Sequence, residues 1–193
     1  MTTPGPLIII SAPSGTGKTT IVRRLLTVED LCLRLAVSAT TRAKRNYEVD
    51  GKDYHFLTKA QFEQRIAEDG FLEWAEVHDN YYGTPKVEVE KLSEEGYTAL
   101  LDIDVQGARQ VREKCPEVKS IFLKTPSREE LERRLRSRKT ESEEEIQIRL
   151  KNAEEEERYA HEYTKQIVND DLETAMLEMV QTVRSFLEGQ SNA

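Results

Sequence analysis

Strands and helices alternate in the pattern of apolar and polar positions along the chain. Apolar runs predict strands at Leu7–Ile10, Tyr97–Asp102, Val118–Leu123 and Ile167-Val168, and alternation of apolar and polar residues predicts another at Leu33–Ser38. Between these runs, apolar residues recur at helical spacing, as at Ile21, Val22 and Leu25. The alternation predicts an α/β fold in which helices cover both faces of a parallel sheet.

The interval 38–84 breaks this alternation and is predicted to be an insertion with a small sheet of its own. Inside it, Thr58 followed by Gln61 is typical of a capping box at the start of a helix. Phe71–Val77 is predicted to be a strand.

The end of the insertion carries turn and helix-start signals. Asn80–Gly83 is predicted to be a turn. Thr84 and Pro85 then predict the N-cap and the first residue of a helix that continues to about Glu95.

Composition narrows the class of protein. The chain has 193 residues, which suits one well-packed domain. It carries 28 basic and 36 acidic side chains and a formal net charge of −8, which argues against a nonspecific nucleic-acid binder. Neither a targeting segment nor a stretch of membrane-span length is evident, so we expect a cytoplasmic protein with no membrane partner.

The segment Ser11–Thr20, SAPSGTGKTT, follows the first apolar strand and has the pattern of a phosphate-binding loop. Glycines such as Gly15 let backbone N–H groups turn toward a phosphate, and the following helix adds its positive dipole end. In this pattern Lys18 reaches the β- and γ-phosphates of a nucleotide, and the Thr19 hydroxyl binds Mg²⁺.

Ala12 stands where the usual pattern has its first glycine. Because an alanine in the left-handed region costs about 1 kcal/mol, we predict negative φ at Ala12 and positive φ at Gly15 or Gly17. The alternative is a surface turn rich in glycine and serine that precedes Lys18 by chance. The strand before the loop and the helix after it favour the phosphate loop.

Two carboxylates, Asp102 and Asp104, lie at the end of the predicted strand Tyr97–Asp102 and just after it. In a chain with a phosphate loop, Asp102 is a candidate to hold Mg²⁺ through water, although strand-end aspartates are common. Asp104 points to the same side of an extended chain, so it is predicted at the mouth of the same site.

Family-specific motifs surround these residues. They are SATTRAKR at 38–45, GKDYHF at 51–56, FLEWAEV at 71–77, NYYGT at 80–84 and LDIDVQG at 101–107. In this order and spacing they resemble the guanylate kinase family over nearly the whole chain. The resemblance implies a P-loop NTPase-type core (1–37, 85–133 and 150–193), a small mixed α/β GMP-binding insertion (38–84) and a helical lid (134–149).

The resemblance also implies the reaction, which is transfer of the γ-phosphoryl group of ATP to GMP with Mg²⁺ as cofactor. The implied partners are the two substrates, ATP and GMP, and the oligomeric state stays open. The arginines matching Arg42 and Arg45 grip the GMP phosphate together with the hydroxyls of Tyr54 and Tyr82, since guanidinium forks suit a phosphate dianion.

Guanine recognition in the family uses a carboxylate that matches Glu73, which accepts from the N1–H and the N2 amino group. Asp104 lies near that amino group, and the hydroxyls of Ser38 and Thr84 donate to O6. Adenine would leave the buried polar groups unpaired, which can cost a factor of roughly 10⁴. The implied GMP-binding residues are Ser38, Arg42, Arg45, Tyr54, Glu73, Tyr82, Gly83, Thr84, Asp102 and Asp104.

The ATP side and the catalytic groups follow in the same way. The implied ATP-binding residues are Ala12, Pro13, Ser14, Gly15, Thr16, Gly17, Lys18, Thr19, Thr20 and Asn169, the last of which matches an adenine contact. The implied catalytic residues are Lys18, Arg42, Arg134, Arg138 and Arg149, which neutralise and position the moving phosphoryl group. The implied metal site is Thr19 with Asp102.

Two other functions are compatible with parts of this pattern. One is a guanylate-kinase-like module that has lost catalysis and binds a protein; intact Lys18 and Thr19 argue against it. The other is a related kinase with a different acceptor, against which Glu73, Tyr54 and Tyr82 argue. For any single arginine in 134–149, a solvated helix surface is a further possibility.

Overall fold

The computed structural model describes residues 6–77, 79–137 and 142–190. Its strands are β1 Leu7–Ser11, β2 Leu33–Leu35, β3 Ala39–Thr40, β4 His55–Phe56, β5 Phe71–Val77, β6 Asn80–Pro85, β7 Thr98–Asp102, β8 Lys119–Lys124 and β9 Lys165–Val168. Its helices are α1 Lys18–Leu25, α2 Lys59–Ala67, α3 Lys86–Glu94, α4 Val105–Lys114, α5 Arg128–Ser137, α6 Glu143–Glu157 and α7 Leu172–Gln190. Short 3-10 turns lie at Glu29–Leu31 and Ala160–Glu162.

The main sheet has five parallel strands in the order β2-β7-β1-β8-β9 and is flanked by helices. In β1 every residue is buried, and β7 and β8 are buried along most of their length, whereas the edge strands β2 and β9 bury one residue each. Of the four pairs of strands that follow one another in this sheet, β1/β2 and β7/β8 have another strand between them, and each parallel pair needs a crossover connection. The predicted α/β fold class is confirmed.

A second sheet of four strands, in the order β4-β3-β6-β5, comes from residues 39–85. Strand β3 pairs parallel with β4 and antiparallel with β6, while β5 and β6 form an antiparallel pair. The predicted small sheet is therefore present. The capping box at Thr58 and Gln61 is also confirmed, with both of its reciprocal hydrogen bonds at the start of α2.

Two local predictions at the end of this sheet are wrong. Asn80–Gly83 is part of β6 rather than a turn, because it pairs with β5 from Val77 back to Trp74. Thr84 does not cap α3, since β6 continues through Pro85 and α3 begins one residue later. The Thr84 hydroxyl donates instead to a buried carboxylate, described below.

The chain divides into two compact units. One contains Arg34–Val118 and the start of β1, and its smaller apolar cluster is built on Ala39, Phe62 and Phe71. The Phe62 ring stacks on Phe71 and on Tyr81, with centroid distances of 4.2 and 5.3 Å. This cluster anchors α2 on the second sheet.

The other unit contains Ile9–Leu33 and the chain from Lys119 onward. Helices α5 and α6 pack through a cluster of buried apolar side chains, which are Leu131, Leu135, Ile146, Leu150 and Ala153. Arg24 of α1 and Glu173 of α7 form a two-point ion pair with distances of 2.6 and 2.8 Å. The division into core, insertion and lid that the sequence suggests stays a prediction.

Among the helices that the structure describes, none combines the length and the apolar character needed to cross a membrane.

Candidate active site

Strand β1 leads into a glycine-rich loop that ends where α1 begins. Gly15 and Gly17 have φ angles of 97° and 94°, in the left-handed region that favours glycine. Ala12 is absent from the residues with positive φ in the described ranges, which confirms the prediction for it. The loop thus turns at its two glycines and places the N-terminus of α1 at its end, an arrangement that suits an anion.

Thr16 forms hydrogen bonds within the loop and also accepts one from Asn169, which lies outside it. Its hydroxyl and its backbone N–H both donate to the Pro13 carbonyl, at 2.8 and 3.3 Å. The Asn169 Nδ2 donates to the Thr16 carbonyl at 2.7 Å, and Asn169 is itself buried. A Cβ on Gly17 would lie 2.7 Å from the same Nδ2. Asn169 therefore braces the loop from the end of β9.

Two arginines reach the loop from α5 and α6. Arg134 donates to the Thr16 carbonyl at 3.5 Å and to the Asp170 carbonyl at 3.1 Å. Arg149 donates to the Ser14 hydroxyl at 2.7 Å. Both guanidinium groups therefore lie where phosphates on this loop would meet them.

Glu130 orients Arg134 by accepting from its Nε at 2.6 Å. Hydrogen bonds from Arg133 and Arg134 lower the pKa of Glu130 to about 2, so this carboxylate stays ionised near neutral pH.

A pocket of about 230 Å³ lies in the unit that contains the second sheet. Seven of the residues implied for GMP binding line it: Ser38, Tyr54, Glu73, Tyr82, Gly83, Asp102 and Asp104. They come from β5, β6, the end of β7, and the segments before β3 and β4. Long-range folding thus gathers side chains that are up to 66 positions apart in the sequence.

Glu73 is the buried acid of this pocket, with 5% of its surface exposed. The Thr84 hydroxyl donates to its Oε1 at 2.6 Å. Burial raises the pKa of Glu73 to about 7, and the nearby charge of Asp104 adds to that rise. The carboxylate is thus held by Thr84 on one side and is poised between its two protonation states at neutral pH.

The start of α4 packs directly against this carboxylate. Asp104 is the N-cap of α4 and accepts from the Gly107 N–H at 2.8 Å. A Cβ on Gly107 would lie 2.7 Å from Oε2 of Glu73. The helix can approach the Glu73 side chain only because position 107 lacks a side chain.

Arg42 lies beside the aromatic part of the pocket. Its guanidinium carbon is 5.6 Å from the ring centroid of Tyr54 and 5.9 Å from that of Phe56. Glu48, which is buried, accepts from both terminal nitrogens of Arg42 and from the Arg45 backbone N–H at 2.7 Å. The Arg42 guanidinium is therefore held beside the rings of Tyr54 and Phe56.

Comparisons with known proteins identify the family of this chain. The family model described as guanylate kinase matches residues 5–187. The chain belongs to the guanylate kinase family. A guanylate kinase from Nitratidesulfovibrio vulgaris is 53% identical over 176 residues, which cover 91% of this chain and 84% of the relative. One from Fusobacterium nucleatum subsp. nucleatum is 48% identical over 181 residues, covering 94% and 97%.

The structural comparison agrees with the sequences. The crystal structure of guanylate kinase from Anaplasma phagocytophilum matches 94% of this chain and 85% of its own, with a TM-score of 0.73 at 34% identity. The resemblance predicted from the motifs is thereby confirmed, and so is the P-loop NTPase-type fold of this family member.

In this member of the guanylate kinase family, some side chains implied for the site contact other residues instead. Thr84 contacts Glu73 instead of lining the pocket itself. The Arg45 guanidinium is directed to the hydroxyl of Tyr47 at 2.9 Å. Arg138 lies outside the described residues. The binding and catalytic roles of all these residues stay predictions.

The implied magnesium ligands are of a suitable type. Thr19 is exposed in the first turn of α1, and Asp102 is half-buried at the end of β7. A hydroxyl and a carboxylate are hard oxygen donors, which Mg²⁺ takes together with phosphate oxygens and water. The described residues contain no group of three or more acidic, histidine or cysteine side chains arranged for a metal, so nucleotide phosphates would supply much of the coordination.

Sequence reasoning missed Glu48, and it missed the bracing role of Asn169. Glu48 lies three positions after Arg45, just beyond the basic turn. That short spacing was the available sign that its carboxylate could contact the turn. The expected contact of Asn169 with the adenine of ATP stays a prediction. Its Nδ2 donates to the Thr16 carbonyl, 153 positions away in the chain, and its buried Oδ1 has no hydrogen-bond partner in the described part of the chain. Nothing in the local sequence of Asn169 indicates this contact.

Proposed function

We propose that this chain phosphorylates GMP with ATP, giving ADP and GDP, in purine nucleotide metabolism. The observation that carries the proposal is the buried Glu73 carboxylate, held by Thr84 within a pocket of nucleobase size. Guanine presents its N1–H and its N2 amino group side by side. A carboxylate with two oxygens accepts both donors at once, and Asp104 in the same pocket wall suits the amino group.

Adenine fits this wall poorly. It presents a lone pair at N1, which would face the lone pairs of Glu73. A site built to hydrogen-bond a donor rejects an analogue that lacks it by roughly 10⁴-fold, because the buried polar group is left unpaired. Glu73 therefore supports GMP as the acceptor.

The phosphate of GMP would lie at the end of the pocket that carries Tyr54 and Tyr82, beside Arg42. A guanidinium held by Glu48 presents its donors in a fixed direction, which suits a phosphate dianion. The acceptor oxygen of that phosphate is already ionised at neutral pH, so the reaction needs no general base. Catalysis then consists of positioning and of neutralising charge.

The phosphate loop would hold ATP. Lys18 would contact the β- and γ-phosphates, and the N-terminus of α1 would face them. Thr19, with Asp102 through water, would hold the Mg²⁺ that offsets phosphate charge when the metal is bound. Arg134 and Arg149, which lie against the loop, would contact the transferring group, and we assign Arg138 the same role.

We further propose a cytoplasmic location, since the acidic net charge suits a free nucleotide enzyme better than one bound to nucleic acid. Fractionation of cells that produce the tagged chain tests this location.

An acceptor panel tests the reaction. ADP release is measured with ATP, Mg²⁺ and, in turn, GMP, AMP, UMP and CMP, with a Lys18→Met variant as the control for contaminating kinases. Of the four acceptors, we expect only GMP to give rapid release of ADP, and we expect the Lys18→Met variant to lose that release. Equal rates with AMP and GMP would contradict the proposal. Lack of release with every acceptor, together with no binding of ATP and Mg²⁺, would instead favour a protein-binding module.

A further inference from the structure

One face of α4 contacts β5 at three successive points. Gly107, Gln110 and Lys114 are spaced three and four residues apart, which places them along one side of the helix. Gly107 packs on the Glu73 side chain, and the other two residues contact the backbone of β5 on either side of Glu73. Strand β5 is the edge strand of the second sheet, so its outer backbone groups need partners from elsewhere.

Gln110 supplies one such partner. Its Oε1 accepts from the Trp74 N–H at 3.1 Å, and its Nε2 donates to the Trp74 carbonyl at 2.7 Å. A single side-chain amide thus reproduces the pair of hydrogen bonds that a neighbouring strand would make. The half-buried Gln110 thereby fixes the residue that follows Glu73.

Lys114 holds the other side of Glu73. Its ammonium group donates to the carbonyls of Phe71 and Leu72, at 3.1 and 2.8 Å. The pairing of β5 with β6 shifts register between Phe71 and Glu73, which marks a bulge. At a bulge the ladder cannot satisfy every backbone group, and the extra residue re-aims the side chains beside it.

We propose that Gln110 and Lys114 are positioning residues that set guanine selectivity by holding the bulge of β5, so that Glu73 faces the pocket. Because side chains alternate along a strand, a slip of one residue would turn Glu73 away from the base. Clamping the backbone on both sides of Glu73 prevents that slip. This inference rests on the proposed use of GMP.

Equilibrium binding of GMP and IMP tests the inference without requiring turnover. IMP keeps N1–H and O6 but lacks the N2 amino group, so the preference for GMP reports how well Glu73 meets both donors. The test variants are Lys114→Met and Gln110→Leu, each one atom shorter than the native side chain and unable to make these hydrogen bonds. The matched controls are Lys91→Met in α3 and Gln64→Leu in α2, both exposed helix positions.

We expect each test variant to weaken GMP binding about tenfold, to weaken IMP binding less, and to leave ATP binding unchanged. Lys114→Arg keeps the donors and should stay within about twofold of the wild type. The controls should match the wild type. If GMP and IMP weaken by the same factor, or neither changes, the inference is wrong and the contacts serve stability alone.

A second measurement tests whether Gln110 and Lys114 act on GMP binding through Glu73. In a Glu73→Gln background, Lys114→Met and Gln110→Leu should no longer alter the ratio of GMP to IMP affinity. A ratio that still changes there would overturn the positioning role. If Lys114→Met fails to fold, Gln110→Leu and Lys114→Gln decide the matter. A wild-type chain that prefers GMP in binding yet fails to phosphorylate it would refute the proposed reaction alone.

Discussion

Arg42 and Glu48 form a two-point ion pair, with the terminal nitrogens of Arg42 at 2.6 and 3.1 Å from the two carboxylate oxygens. Glu48 also accepts from the Arg45 backbone N–H, so one buried carboxylate organises the whole basic turn. These hydrogen bonds, that from Arg42 above all, hold the pKa of Glu48 below its usual value. The pair fixes the orientation of the Arg42 guanidinium, which without Glu48 would be free to change conformation at the surface.

Glu48→Gln should therefore raise the KM for GMP about tenfold, because a neutral amide holds Arg42 through weaker hydrogen bonds than a carboxylate does. The KM for ATP should stay unchanged. Steady-state kinetics with each substrate varied in turn measures both values, and Glu63→Gln on the exposed face of α2 is the control. An equal rise in both KM values would argue against a specific role at the GMP phosphate.

The use of GMP should depend on pH through Glu73. Its pKa of about 7 means that the carboxyl becomes protonated as pH falls below neutrality, and a protonated carboxyl no longer accepts both guanine donors. We expect kcat/KM for GMP to fall about tenfold from pH 8 to pH 6. The phosphate of GMP titrates near pH 6 itself, so the profile is compared with that of Glu73→Gln, which should lack the component near pH 7.

Glu73→Gln should also stabilise the unliganded protein at high pH. A carboxyl whose pKa is raised on folding favours the folded state below its unfolded value, and that contribution is lost as pH rises through about 7. At pH 8 the neutral variant should thus be more stable by up to roughly 3 kcal/mol, and at pH 4 the difference should vanish. Urea unfolding at both values measures this. If the variant is less stable than the wild type at pH 8, the ionised Glu73 carboxylate does not destabilise the folded state as proposed.

Gly107→Ala separates function from stability. Gly107 lies in the first turn of α4, and the added Cβ would meet the end of the Glu73 side chain at Oε2. We expect the free energy of unfolding to change little, because that side-chain end can shift, while the KM for GMP rises at least tenfold because the carboxylate is displaced. Gly189→Ala in α7, where a Cβ meets nothing within 4 Å, is the control. Unchanged GMP kinetics would show that Glu73 has room to move without loss.

Local sequence predicted a large part of this protein. The apolar runs predicted the central strands β1, β7 and β8 of the main sheet, because burial on both faces of a parallel sheet needs uninterrupted apolar residues. The reciprocal cap at Thr58 and Gln61 was predictable, because its bonds join residues three positions apart. The negative φ of Ala12 was predictable too, since it follows from the steric cost of one residue.

The pocket around Glu73 was predicted only as a set of residues, and its internal contacts came from tertiary structure. Thr84 looked like a helix cap, yet its hydroxyl is taken by Glu73, eleven positions away and across a strand pair. As a helix cap, the Thr84 hydroxyl would accept from a backbone N–H, whereas here it donates to a carboxylate, and the sequence does not reveal which partner lies within reach.

What the sequence by itself determined is the list of chemical groups and the local backbone that carries them: a phosphate loop, a basic turn, and an acid between Leu72 and Trp74. What only the tertiary structure decided is how those groups are held, through Glu48 on Arg42 and through α4 on Glu73. Periodicity and propensity act over a few residues. Hydrogen bonds between distant segments depend instead on the packing of whole elements, which no local pattern encodes.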